Sequence, residues 1–310
     1  MNVYVGVTDR DWLDYVRTHK MSEVNFWKPG GQSFKALNEN DLFLFKLKAK
    51  EGGRIVGGGF FVEAPKTSID WAWRAFGEEN GVPSLMELND KIWGYRKSPG
   101  TFDTNAQITS IIVSDVFYFD EGDALDISAK WQANIVSGKT YRGQEAQWLI
   151  DAVKARLSRS YTYDPVEKVP MAPPGTILTT TKHRVGQGAF RTLVADAYHR
   201  RCAITGERTV PVLQAAHIKA FSSDGPNSVD NGIMLRSDMH ALFDAGYITI
   251  EYDAVRDPCV VVSKRLHDDF GNGHDYYPYH GKKLQVLPER KECMPAREYL
   301  DWHHEKIFLA

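Results

Sequence analysis

The chain has 310 residues, 43% of them hydrophobic and 12% aromatic, with a formal net charge of −2. That length allows two domains with separate cores, and the near-neutral balance excludes a uniformly basic protein that coats nucleic acid nonspecifically. No apolar run approaches the roughly 20 residues of a membrane-spanning helix, so no membrane partner is expected. The N-terminus, MNVYVGVTDRDW, lacks a basic segment followed by an apolar block, which predicts no secretory signal and a cytoplasmic location. Cys202, Cys259 and Cys293 are too few and too scattered for a disulfide framework or a four-cysteine zinc site. CAITG has the outline of half a zinc knuckle, but Thr205 stands where a second cysteine would be, so no structural zinc is expected.

Val3, Val5 and Val7 alternate and predict a first strand. DRDWLDYVRTH then places Trp12, Tyr15 and Val16 on one helical face, with Asp9 or Asp11 near its start. In DLFLFKLKAK, Leu42, Leu44 and Lys46 alternate with Phe43, Phe45 and Leu47, and the turn EGGR leads into IVGGGFFVEA, a predicted β-hairpin. Gly57, Gly58 and Gly59 within its second strand predict a bulge or a close backbone approach. Helices are predicted in SIDWAWRAFG and PSLMELNDKIWGYR, a β-like run in ITSIIVSDVFYF, and an amphipathic helix in GQEAQWLIDAVKARL. Residues 158–185 are rich in Pro, Thr, Ser and Gly, and four prolines between 165 and 174 forbid regular helix. This stretch reads as a linker between a first domain at 1–157 and a second at 186–310.

The second half opens with the helix AFRTLVADAYHRR and closes with AREYLDWHHEKIF. Basic clusters at Lys182-His183-Arg184, Arg191, His199-Arg200-Arg201, Lys264-Arg265 and Lys282-Lys283 read singly as solvated faces and together as a phosphate track. Between the two helices lie His217, Asn231, His240 and Asp244, at gaps of 14, 9 and 4. Read in order they suggest strand, loop, strand and helix, with the polar residues meeting at one point.

Hydrolysing a phosphodiester requires a deprotonated water in line, neutralised charge on the phosphate, and help for the leaving oxygen. Histidine titrates near neutrality and can take the water's proton, and His217 ends the apolar run VPVLQAA. Asn231 cannot titrate; its carbonyl is expected to accept from the other ring nitrogen of His217 and fix the tautomer. His240 and Asp244 are i and i+4 on a short helix expected to be capped by Ser237 or Asp238, which suits one divalent metal. Taken alone, each residue has an ordinary reading as a satisfied histidine, a turn asparagine or a helix-ending aspartate. Their joint spacing carries the nuclease reading.

At these residues, in the pattern AAHI…DNG…L…H.LFD.G, the sequence resembles the HNH nucleases of the ββα-metal group. The resemblance extends to GQGAFR, AYHRRCAITG and YLDWH. It implies a metal-dependent DNA endonuclease with His217 as general base, Asn231 as its orienting partner, and His240 as metal ligand with Asp244 the second. The implied cofactor is one divalent ion per site, Mg²⁺, Mn²⁺, Co²⁺ or Ni²⁺. Many HNH enzymes carry a metal-binding Asp or His directly before the base, whereas this chain has Ala216. A strand-mate, Gln214, offers only an amide, a poor substitute for an anionic ligand.

An HNH module alone addresses the backbone common to all sites and needs a restraining device. The first domain carries a dense aromatic set: Phe26, Trp27, Trp71, Trp73, Trp93, Tyr95, Tyr118 and Trp131. Aromatic side chains can line a pocket for a base swung out of the helix. A candidate modified-base pocket is Asn25, Trp27, Trp71, Trp73 and Tyr118. Most of these also read as core, since Trp71 and Trp73 lie at helical spacing and Tyr118 alternates in a strand. Trp27 stands apart, in the polar loop NFWKPGGQS.

ENDLFLFKLKAKEGGRIVGGGFF resembles the hairpin of PUA-superfamily domains, the EVE, ASCH and SRA-like readers, and IVSGKTYRG is similar to a segment found before HNH modules. The implied fold class is α+β: a PUA-like β-barrel-type domain with flanking helices, a linker, and a C-terminal ββα-metal domain. By analogy the whole resembles a modification-dependent restriction endonuclease acting on DNA with 5-methyl- or 5-hydroxymethylcytosine, as a homodimer because one HNH site cuts one strand. Two alternatives stay open: an HNH nuclease whose first domain binds RNA or a protein partner, and a catalytically degenerate DNA-binding protein, which Ala216 would suit.

Overall fold

Both faces of the first strands are apolar, and the fold covers both. The computed structural model describes residues 1–132, 134–160, 186–255, 257–271 and 273–310, in two units, Met1–Gly186 and Gln187–Ala310. Residues 161–185 of the expected linker lie outside the described residues.

The first unit runs β1 (Val3–Thr8), α1 (Arg10–Thr18), β2 (Glu23–Asn25), β3 (Leu42–Leu47), β4 (Ile55–Phe61) and β5 (Lys66–Ser68). It continues with α2 (Ile69–Phe76), α3 (Leu85–Tyr95), β6 (Gln107–Thr109), β7 (Ile112–Tyr118), β8 (Gly138–Tyr141) and α4 (Gly143–Ser160). Six strands form one mixed sheet in the order β2-β7-β4-β3-β1-β8, in which β1 and β3 are parallel and the other neighbours antiparallel. β5 and β6 pair separately.

Alternation along β1 and β3 sends side chains to two cores. Val3, Val5, Leu42 and Leu44 pack with Leu149, Ile150, Val153 and Leu157 of α4. Tyr4, Phe43 and Phe45 pack on the opposite face with Trp12, Leu13 and Val16 of α1. Each such buried Leu or Phe contributes about 1.5–3 kcal/mol over leaving it in water. Asp9 caps α1, its Oδ1 accepting from the Trp12 N–H at 2.9 Å. β3 and β4 form the expected hairpin, and the glycines of β4 serve close approach: a Cβ on Gly57 would lie 2.4 Å from the Phe117 carbonyl oxygen. The register against β7 shifts between Gly58 and Phe60.

The second unit comprises α5 (Gln187–Ala197), β9 (Leu213–His217), β10 (Gly232–Arg236), α6 (Ser237–Asp244), β11 (Ile248–Tyr252), β12 (Pro258–Val262), α7 (Arg265–Phe270) and α8 (Arg297–Lys306). β9 pairs antiparallel with β10, and β11 with β12. Phe190, Val194, Ile233, Met234, Leu235, Met239 and Phe243 are buried within it. Neither Ser237 nor Asp238 caps α6. Arg236 occupies the cap position, and its guanidinium holds the Asp238 carboxylate through Nε at 2.6 Å and Nη2 at 2.7 Å, so both Asp238 oxygens are engaged in a charge-assisted fork. Buried His303 ties α8 back, with Nδ1 at 2.8 Å from Thr249 Oγ1 and Nε2 at 3.0 Å from the Phe243 carbonyl oxygen. The fold is mixed α+β, and among the described residues no helix is long and apolar enough to cross a membrane.

Candidate functional site

The hairpin β9–β10 and the helix α6 that follows it without a loop bring His217, His240 and Asp244 into one neighbourhood. His217 ends β9 opposite Gly232, and Gln214 lies opposite Leu235. Ala216 is buried against Ile233 and offers no ligand atom.

His217 is half-buried, one face of its ring stacked on Phe190 of α5 at 3.9 Å and 9°. Its Nε2 lies 2.8 Å from Asn227 Oδ1. An amide oxygen only accepts, so Nε2 carries the proton and the Nδ1 lone pair is left for substrate water. Burial pushes the His217 pKa below the ordinary histidine value. The Arg191 and His240 charges act in the same direction, while the Asn227 hydrogen bond and the Asp244 carboxylate oppose it. The shift favours the neutral ring, the form in which an imidazole can accept a proton. These fields also show that His217, His240 and Asp244 share one neighbourhood.

Asn231 does not hold the His217 ring. Buried at the end of the loop, it accepts from the Lys219 N–H at 2.8 Å and donates to the Lys219 carbonyl at 3.0 Å and the Pro226 carbonyl at 2.9 Å. The expected partner of the imidazole is replaced by Asn227, four residues earlier, while Asn231 fastens the loop on which Asn227 follows.

His240 and Asp244 face each other one helical turn apart, Nε2 to Oδ2 at 3.1 Å. His240 Nδ1 meets Gln214 Oε1 at 2.7 Å. Gln214 Oε1 accepts from the Nδ1–H, so a cation bound between the two side chains would displace the proton on Nε2 and find the tautomer a metal ligand needs. Two ligands on neighbouring positions of an octahedral Mg²⁺-sized ion lie about 3 Å apart, so the pair fits a shared cation. Among the described residues there is no group of three or more His, Cys, Asp or Glu side chains that could hold a metal. Water and substrate oxygen would complete the shell.

The first unit contains a pocket of about 200 Å³ whose lining includes Asp9, Trp12, Trp27, Lys28, Lys48 and Tyr95. Of the five aromatic and amide candidates, Trp27 lines it. Asn25 is fully buried and donates to Asn80 Oδ1 at 2.9 Å and Ser110 Oγ at 3.2 Å. Trp71 is buried, Trp73 packs against the α2–α3 core, and the Tyr118 hydroxyl donates to the Met21 carbonyl at 3.2 Å. These four side chains are used in packing. The indole N–H groups of Trp12 and Trp27 both donate to the Asn80 carbonyl, each at 3.0 Å.

Sequence reasoning missed the polar side of this pocket. The Tyr95 hydroxyl donates to Asp9 Oδ2 at 2.7 Å, and Lys48 Nζ donates to the Tyr95 oxygen at 2.9 Å. Burial works to raise the Asp9 pKa, but hydrogen bonds from Tyr95 and Trp12 and the Lys91 and Lys48 charges hold it below its ordinary value. Asp9 was readable only as one of two candidates for the start of α1, since its second oxygen faces residues 39 and 86 positions away.

Residues 202–251 match the family model HNH_2, described as HNH endonuclease. No curated protein matches the chain. Among solved structures, ASCH from Zymomonas mobilis is similar at 12% identity and a TM-score of 0.35, covering 48% of this chain and 94% of that one. A structure titled modification dependent TagI restriction endonuclease is similar at 13% identity and a TM-score of 0.29, covering 92% of this chain and 75% of that one. Residues 202–251, which carry His217, Asn231, His240 and Asp244, are thus the stretch that matches the HNH endonuclease family model.

Proposed function

We propose that the second unit hydrolyses DNA phosphodiesters and that the first unit directs it to DNA carrying a modified cytosine. One observation carries the nuclease reading: an Asn227-tethered imidazole lies near the His240–Asp244 pair within a segment matching HNH endonucleases. His217 takes the proton of the attacking water at Nδ1. His240 and Asp244 would hold one divalent cation, Mg²⁺, Mn²⁺, Co²⁺ or Ni²⁺, whose positive charge would stabilise the phosphate in the transition state. Arg191, close enough for its charge to act on His217, adds positive potential where phosphate would lie. Since each such site cuts one strand, a double-strand break calls for two copies, and we assign the active form as a homodimer.

Support for the reader comes from the pocket. A cavity of about 200 Å³ with Trp27 and Tyr95 in its wall suits a pyrimidine base extruded from the stack, and the ionised Asp9 carboxylate suits the exocyclic amino group of cytosine. A 5-methyl or 5-hydroxymethyl group would add apolar contact worth about 1 kcal/mol. We accordingly move the reading role from Asn25, Trp71, Trp73 and Tyr118 to Asp9, Lys48 and Tyr95 beside Trp27. Digestion of matched duplexes with unmodified, 5-methyl- and 5-hydroxymethylcytosine tests the assignment. Preferential cutting of a modified duplex is expected; equal cutting of all three would leave a nuclease whose first unit serves another partner, RNA or protein.

A further inference from the structure

Phe221 is 57% exposed although it adjoins the candidate general base, its ring centroid 6.3 Å from that of His217. The loop presenting it is fixed at both ends. Asn231 clamps the backbone of Lys219 and Pro226, and the Ala220 carbonyl accepts from Ser223 N–H at 2.9 Å and Gly225 N–H at 3.1 Å. Asp224 adopts φ 60°, and a Cβ on Gly225 would lie 1.9 Å from the Lys219 carbonyl oxygen, so glycine alone closes this turn. An apolar ring held in water by a rigid loop forgoes the stabilisation of burial, and its ordering is complete before a partner arrives.

A phosphodiester within reach of His217 brings a nucleoside on each side of it. Nucleotides along one strand advance by about 3.4 Å, so a ring 6.3 Å from the imidazole lies within two nucleotide steps of the phosphate that His217 would serve. We propose that Phe221 stacks on the nucleobase flanking the scissile phosphate and biases cleavage towards strands whose flanking base can leave its stack. This rests on His217 acting at a phosphodiester. The contact is apolar, unlike the positive charge of Arg191, so it leaves the salt dependence of binding unchanged.

Binding of fluorescein-labelled oligothymidylate and of an abasic strand of equal length, by the full chain and its variants, tests the contact. Phe221→Ala should weaken oligothymidylate binding about 10-fold and leave abasic-strand binding unchanged, with the same slope of log affinity against log salt. Phe221→Trp should restore binding, and Phe221→Leu, which keeps apolar bulk without a stacking face, should not. Thermal unfolding midpoints should match the wild type because the ring is mostly exposed. Equal affinity of wild type and Phe221→Ala, or an equal loss on the abasic strand, would overturn the proposal. Should the wild type bind strands without cutting them, the nuclease reading fails while the affinity comparison still decides the role of Phe221.

Discussion

The Gln214 amide oxygen sits 2.7 Å from His240 Nδ1, joining the first strand of the hairpin to the helix that carries the candidate metal ligands. Gln214 itself is exposed, so its role is orientation and not packing. Gln214→Ala should weaken metal affinity by about 10- to 100-fold, the usual consequence of removing a partner that fixes a ligand histidine. Isothermal titration with Mn²⁺ checks this, and Gln214→Glu, which keeps an acceptor there, should recover most of the loss.

Removal of the Asn227 acceptor should act on the base and not on the metal. The hydrogen bond from His217 to Asn227 raises the His217 pKa, which burial has depressed. Cleavage rate should therefore rise through an acid limb centred below the ordinary histidine value of about 6.5, and Asn227→Ala should move that limb lower still. A kcat/KM–pH profile measures both positions; an unmoved limb would remove Asn227 from the site.

Asn231 should prove a stability residue as well as a functional one. Asn231→Ala leaves the Lys219 N–H and C=O and the Pro226 C=O without their partner, which should cost about 2–3 kcal/mol in urea unfolding. Asn231→Asp replaces the two amide donors with acceptors and should not rescue it.

The elements were legible because periodicity is local. β1, the β3–β4 hairpin and α1 follow from alternation and from helical spacing, and Asp9 or Asp11 could be placed near the start of α1 from position alone. The approach of His217 to His240 and Asp244 was legible for the same reason, since strand, strand and helix are contiguous. Hydrogen-bond partners were not. Asn227 and Asn231 share one loop, and only its closed shape decides that the first meets the imidazole and the second the backbone. Asn25 and Trp27 illustrate the limit in the first unit: two residues apart at the end of β2, one is fully buried on Asn80 Oδ1 and the other lines the pocket.

Stability should fall in mild acid because of His303. Its pKa is pushed down to about 4, mainly by burial, so the folded state resists a proton that the unfolded chain accepts near 6.5. Its contribution is full above about 6.5 and lost as pH falls towards about 4, on the order of 3 kcal/mol in total. Urea midpoints at pH 7.5 and 5 should differ, and His303→Gln should shrink that difference.

Specificity should separate from chemistry. Asp9→Asn keeps the helix cap but replaces a carboxylate oxygen with a donor. In anisotropy titrations it should weaken binding of modified and unmodified cytosine duplexes alike by about 10-fold, the loss of one charge-assisted hydrogen bond to an amino group both bases carry, without changing metal affinity in the second unit.

The most direct measurement is the cleavage rate of a supercoiled plasmid bearing modified cytosine, with and without Mn²⁺, by wild type, His217→Ala and His240→Ala. Nicking by the wild type that needs the metal, and its loss in both variants while DNA binding persists, is the expected result. Nicking that survives the loss of the residue 217 imidazole, or that proceeds equally in a chelator, would contradict a hydrolytic centre built on these side chains.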